Sequence, residues 1–135
     1  MKLASLTILS ISTLLFACSN ANTANTPTQA SDLQQEWQLV SLDGNAVTGD
    51  SSLKIDIDAQ ATGNLACNNF FGTLTLQDNK VRIDKMGSTR KMCEPAVNEV
   101  EMKVSNTLSS WSEVQLQEKK LTLTGEVHTL VYKIK

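Results

Sequence analysis

The sequence predicts an α+β domain in which a curved, mostly antiparallel β-sheet packs around one amphipathic α-helix. Three observations carry the prediction. Short segments alternate apolar and polar residues between turn signals, as half-buried strands do. One stretch repeats its apolar residues at helical spacing instead. And of 135 residues, 41% are hydrophobic and 19% charged, the balance of one ordinary globular domain.

The first segment is an address. Met1-Lys2 supplies a positive start and Leu3 to Phe16 carries no charge. Those residues would span only about 21 Å as a helix, against roughly 30 Å of hydrocarbon, so residues 1–17 read as a signal peptide rather than a membrane span. The run ends Leu14-Leu15-Phe16-Ala17-Cys18. This resembles the lipobox of bacterial lipoproteins, in which the cysteine thiol receives a diacylglycerol, cleavage precedes the cysteine and the new amine is acylated. Leu15 and Ala17 match; Phe16 departs, because small or β-branched residues are commoner there. The bland alternative is an ordinary secretory signal with Cys18 a bystander. Several acyl chains anchor stably, at about 0.8 kcal/mol per buried CH₂. By the same resemblance, Ser19 in place of Asp points to the outer membrane, facing the periplasm.

Residues 18–31 hold the lipidated Cys18 and a flexible tether. Ser19 to Ser31 has no charge and no large apolar side chain, and cannot offset its own ordering entropy. The folded domain is expected over residues 32–135.

Glu36 to Leu42 alternates and ends at the turn signal Asp43-Gly44-Asn45, a first strand. Leu53, Ile55 and Ile57 alternate with Lys54, Asp56 and Asp58, a strand with one wet face. Leu65 to Leu76 is strand-like but broken by Asn68-Asn69 and by Gly72, which marks a bend or a close backbone approach. Leu74 to Ile83 and Val114 to Leu123 look alike, each two alternating strands around a short polar turn, the signature of a hairpin. Convergence of hairpins with one buried face accounts for the likeness as well as internal duplication does. Between them lies the helix. Pro95 suits its first position, and Val97, Val100, Val104, Leu108 and Trp111 form one stripe, expected to pack on the concave face of the sheet. Val127 to Ile134 is the last strand.

Two cysteine motifs carry a resemblance. Gly63-Asn64-Leu65-Ala66-Cys67-Asn68-Asn69-Phe70-Phe71-Gly72 has the form G-x-x-x-C-N-x-F-x-G. Met86-Gly87-Ser88-Thr89-Arg90-Lys91-Met92-Cys93 has the form M-x-x-T-R-x-M-C, with Glu99 following. Together with the opening Trp37-x-Leu39, Gly44 and the closing strand, they resemble the META domain of bacterial envelope proteins over about Leu33 to Lys135. The resemblance implies a small α+β domain, no established catalytic activity, no cofactor, and an association with heat stress and aminocoumarin tolerance. The motif residues Gly63, Cys67, Asn68, Phe70, Gly72, Met86, Thr89, Arg90 and Cys93 are its candidate functional positions.

Once Cys18 is assigned to lipid, Cys67 and Cys93 make an even pair in a compartment that permits disulfides. A bond between them is one reading; two separate thiols buried as small hydrophobes is the other. Neither lies in a C-x-x-C, which leaves thioredoxin-like exchange and structural zinc without support. His128, the single histidine, has no nucleophile motif beside it and reads as a solvent-facing strand residue. No P-loop, nucleophile elbow, H-E-x-x-H or EF-hand pattern occurs, and no metal is expected. Asn68 and Asn69 read as backbone-satisfying residues at a bend.

Twelve Lys and Arg against fourteen Asp and Glu give a net charge of −2, and two Trp, one Tyr and three Phe are too few for a base-stacking platform. Nucleic acid is excluded as a partner on both counts. The expected partners are the membrane, through the lipid anchor, and an envelope protein; Thr89-Arg90-Lys91 is the cationic spot that suits an anionic one, though a solvated loop accounts for it as well. The expectation is a monomeric, non-enzymatic envelope lipoprotein. The alternatives are a secreted or anchored inhibitor or carrier, and an uncharacterised enzyme.

Overall fold

In the computed structural model the described residues are 27–47 and 49–135. The signal peptide, Cys18 and most of the expected tether lie outside them. Alternation does produce strands: β1 (Glu36–Leu42), β2 (Asn45–Ala46), β3 (Ser52–Ile55), β4 (Gln60–Asn64), β5 (Asn69–Gln77), β6 (Lys80–Ser88), β7 (Ser112–Gln117), β8 (Lys120–Thr124) and β9 (Thr129–Ile134), with α1 (Pro95–Ser109) between β6 and β7. The turn signals are also met. Asp43 and Gly44 both have positive φ, as do Asp78 and Asn79, the conformation that two-residue hairpins require. The two look-alike segments are the hairpins β5–β6 and β7–β8.

The sheet is not the open, curved one expected. All pairings are antiparallel in the order β1-β3-β4-β5-β6-β7-β8-β9, and β9 returns to β1, with Trp37 opposite Ile134 and Leu42 opposite Leu130. Eight strands therefore close into a barrel, and β2 adds to the end of β1 alone. Closure removes the unpaired edges that an open sheet would expose, and alternation is the same for either form.

Two close approaches hold the strands in register. A Cβ on Gly63 would lie 2.0 Å from the Ser52 carbonyl oxygen on β3. Gly72 sits where the β5–β6 register shifts, and its Cβ would lie 2.9 Å from the Asp84 carbonyl oxygen. That is the close approach its place in the sequence suggested.

The helix is where the sequence put it, with Pro95 in its first turn, but it does not lie in the hollow of a sheet. β6 pairs with β7 only at Lys80 and Val81, and runs on to Ser88 with α1 against it. The helix thus caps the barrel at one pole. Its stripe divides: Val104 and Leu108 are buried, Val97 and Val100 are half-buried, and Trp111 lies past the helix end with Arg82 stacked 4.5 Å above its ring. At the other pole a 3-10 turn (Ala30–Leu33) folds under the barrel, and its Leu33 is 1% exposed. Ordered structure therefore starts before Asp32. Thr28 N–H donates to Asn79 Oδ1, and Trp37 Nε1 donates to the Leu33 carbonyl. Leu33 and Leu108 border one void of about 10 Å³ together with Leu53, Leu74 and Leu121, so the lumen is filled by side chains from both ends.

Two local expectations fail for one reason. β3 stops at Ile55, and Asp56 begins a turn by accepting the Asp58 and Gln60 N–H groups. Ile57 is then 82% exposed instead of lining the core, and the Asp side chains do not mark a wet strand face. An Asp side chain that satisfies backbone locally competes with the ladder.

Candidate functional site

The two cysteine motifs meet at the helix-capped pole. The link from β4 to β5 turns tightly: Asn64 Oδ1 accepts Ala66 N–H, and Leu65 N–H donates to the Asn68 carbonyl. Asn68 is 3% exposed and spends its whole amide group. Its Oδ1 accepts from Thr89 Oγ1 at 2.9 Å and from Lys91 N–H at 2.6 Å. Its Nδ2 donates to the Lys91 carbonyl at 3.2 Å and to Glu101 Oε1 at 2.8 Å. Two donors and two acceptors are the full capacity of a carboxamide.

Glu101 completes the group from α1. Its Oε2 accepts the N–H of Cys67 at 3.0 Å and of Asn68 at 2.6 Å. Charge-assisted bonds to backbone amides are the stronger kind. Cys67 and Cys93 are joined across this group, with Cα atoms 6.1 Å apart. Asn98 Nδ2 then donates to the Cys93 carbonyl and ties the bridge to the first turns of the helix. The segment from Thr89 to Cys93 is held at both ends, while Arg90, Lys91 and Met92 remain exposed.

Of the motif residues, Cys67, Asn68, Thr89 and Cys93 come together here. Gly63 and Phe70 face each other in the β4–β5 register, the ring lying over the glycine. Gly72 and Met86 serve the barrel wall, and Arg90 is exposed. Glu99, the acid that the motif pattern marked, is exposed and pairs with Lys103 at 2.7 Å. The acid that matters is Glu101, which sequence reading missed. Its signal was faint: a carboxylate one position along from Val100, on the flank of the apolar stripe.

Beside this group lies a cleft of about 350 Å³. Leu42, Val47, Ala66, Val97 and Val100 give it apolar walls, and Asp43, Asp50 and Lys103 stand around it. Asp43 also closes the barrel end. Its Oδ1 accepts Thr129 N–H at 2.8 Å and its Oδ2 contacts His128 Nδ1 at 2.7 Å. The Thr129 amide first, and then His128, hold the Asp43 carboxyl below its ordinary range. His128 is therefore not a solvent-facing strand residue but a half-buried turn residue locked to Asp43. Sequence distance hid the pair, since the two are 85 residues apart. Among the described residues no cluster of His, Cys, Asp and Glu is placed to hold a metal ion, and no helix is long and apolar enough to cross a membrane.

The motif pair, its disulfide and the capped barrel now stand together, and the META domain family matches residues 31–135. The chain belongs to the META domain family. It is 30% identical over 129 residues to heat shock protein HslJ of Escherichia coli (strain K12), spanning 92% of this chain and 90% of that one. Two solved structures are similar to this chain. One NMR structure superposes with a TM-score of 0.71 at 28% identity, over 79% of this chain and 95% of the other. An NMR structure of a protein from Burkholderia xenovorans superposes with a TM-score of 0.67 at 21% identity, over 93% and 99%, and speaks for the fold alone. At this META domain's pole the Asn68 carboxamide, the Glu101 carboxylate and the Thr89 hydroxyl are engaged with one another and with backbone.

Proposed function

We propose that this META-domain protein is a non-enzymatic lipoprotein of the bacterial envelope. Cys18 anchors it at the periplasmic face of the outer membrane, and it supports tolerance of heat or drug stress by binding an envelope partner. The observation that carries this reading is the placement of the cleft beside the disulfide-tied Asn68–Glu101 group. A rigid surface lowers the ordering cost of binding. The HslJ likeness supports the stress association.

Cross-linking with mass spectrometry in native membranes tests the binding role, through Lys103, which lines the cleft, and the exposed Lys91 in the segment tied to Asn68. One recurrent partner at these lysines, lost in an Asn68→Ala strain, is the expected result. Cross-links scattered evenly over the surface would refute it. Cys18→Ala should move the protein out of the detergent phase, and continued partition there rules out lipidation at that site. A second reading, a carrier of a small ligand, draws on the size of the cleft, which lies in the range of small-molecule sites. It requires a small molecule to copurify with the protein and to be displaced by Val97→Trp.

A further inference from the structure

The cleft beside the disulfide-tied group is bordered by a piece of open main chain. β2 pairs with β1, and no other strand lies along its second edge among the described residues. The ladder fixes which backbone groups that edge presents. Val47 N–H donates to the Val40 carbonyl, and antiparallel residues alternate between bonding the partner strand and facing away from it. Ala46 therefore turns its N–H and C=O away from β1. It is exposed and lines the cleft. An edge of this kind is a template for an added strand.

The cleft supplies the pocket that such a strand needs. Leu42 stands opposite Asn45, so Leu42, Asn45 and Val47 share one face of the ladder, and all three line the cleft. Val97 and Val100 wall it from α1. In an added strand the residue opposite Ala46 would make both main-chain bonds, and its two neighbours would send their side chains to this face.

The charge at this face is acidic. Asp43, Asp50 and Lys103 are the charged residues that line the cleft, and Lys103 is paired with Glu99 at 2.7 Å. Asp43 is engaged by Thr129 and His128, whereas Asp50 has no ion-pair partner among the described residues. The adjoining segment from Thr89 to Lys103 does not offset the acids. Its Arg90, Lys91 and Lys103 are balanced by Glu94, Glu99 and Glu101.

We infer that β2 accepts an extended segment of a partner protein by strand addition. The segment carries a large aliphatic side chain and, two residues away, a Lys or Arg, so that both side chains enter the cleft. The inference deepens the envelope-partner reading above and rests on it. Main-chain bonds at Ala46 supply affinity, and the apolar wall with Asp50 supplies selectivity.

The test titrates the isotope-labelled full chain, in neutral detergent, with the blocked peptide acetyl-Thr-Leu-Thr-Lys-Thr-amide. The Ala46 amide resonance should shift and its hydrogen exchange should slow, with accompanying shifts at Val47, Val97 and Val100. N-methylation of the central peptide threonine, or glutamate in place of its lysine, should remove these effects. Asp50→Asn should weaken binding about twofold to fivefold. Ala46→Pro takes away the outward N–H, keeps the β1–β2 bonds, and should abolish the shifts. Shifts that spare Ala46, or equal shifts from the N-methylated peptide, overturn the strand addition. So does a peptide that shifts nothing at its solubility limit. Equal shifts from the glutamate peptide overturn the basic residue in the segment. A native-membrane partner cross-linked at Lys103 equally in wild type and Ala46→Pro overturns the strand addition while the binding role stands. A wild type with no recurrent partner overturns the envelope-partner reading and this inference with it, which separates that failure from the others.

Discussion

At the scale of single residues, the stakes differ sharply between two buried polar groups. Asn68 makes four hydrogen bonds, three to the Thr89–Lys91 segment and one to Glu101 on the helix. Truncation leaves Lys91 N–H and one Glu101 oxygen without their partner, and unmade bonds at a buried site cost more than made ones return. Asn68→Ala should therefore lower stability by about 2–4 kcal/mol, read from urea midpoints at constant m. Tyr132 is the opposite case. It is 0% exposed, its hydroxyl has no partner among the described residues, and burial raises its pKa. Tyr132→Phe removes an unsatisfied group at almost no change of shape, so stability should hold or rise by about 1 kcal/mol. A large loss would show that the hydroxyl is satisfied after all. Asp43 gives the pH dependence. Its folded carboxyl is held below the unfolded value by Thr129 and His128, so it binds protons less readily when folded. Its stabilisation is in place above the unfolded carboxylate range and is lost as pH falls through the depressed folded value. Asp43→Asn should flatten the acid limb of the stability curve, and an unchanged limb would falsify the assignment.

At the scale of elements, the disulfide and the helix show what sequence could and could not say. The bond joins positions 26 residues apart, the end of one tight turn and the lead into α1. On the chain-entropy model, closing such a loop stabilises by about 3–4 kcal/mol. The Cys67→Ser/Cys93→Ser chain should lose that amount in a urea titration, and reductant should have no further effect on it. If reductant leaves the wild type unchanged as well, the thiols are not bonded in the isolated protein. The helix was readable because its apolar spacing and Pro95 are local signals. What it packs on was not. The stripe reads as one surface, yet Leu108 enters the barrel while Val97 and Val100 wall the cleft. Periodicity reports that a face is apolar and says nothing of whether core or ligand covers it. Glu101 was missed for a related reason. Its partners are 33 and 34 residues away, and only the fold brings them to it.

For the whole molecule, the hidden quantity was closure. Alternation, turns and the look-alike hairpins are local and were legible; whether the last strand finds the first is a matter of twist and stagger summed over eight strands. β9 settles it here by pairing with β8 on one side and β1 on the other, and it supplies Leu130 and Tyr132, both 0% exposed, to the lumen. Its loss would open two edges at once and empty part of the core. A chain ending before Thr129 should therefore fail to fold. The expected signs are no dispersed amide spectrum, no near-ultraviolet circular dichroism, and association through the bared strands. An open sheet would respond differently. It would lose one edge strand, keep its remaining ladder and stay folded with reduced stability. A truncated chain that remains a folded monomer would thus restore the open-sheet architecture and remove the seam at which Asp43 locks to the β8–β9 turn.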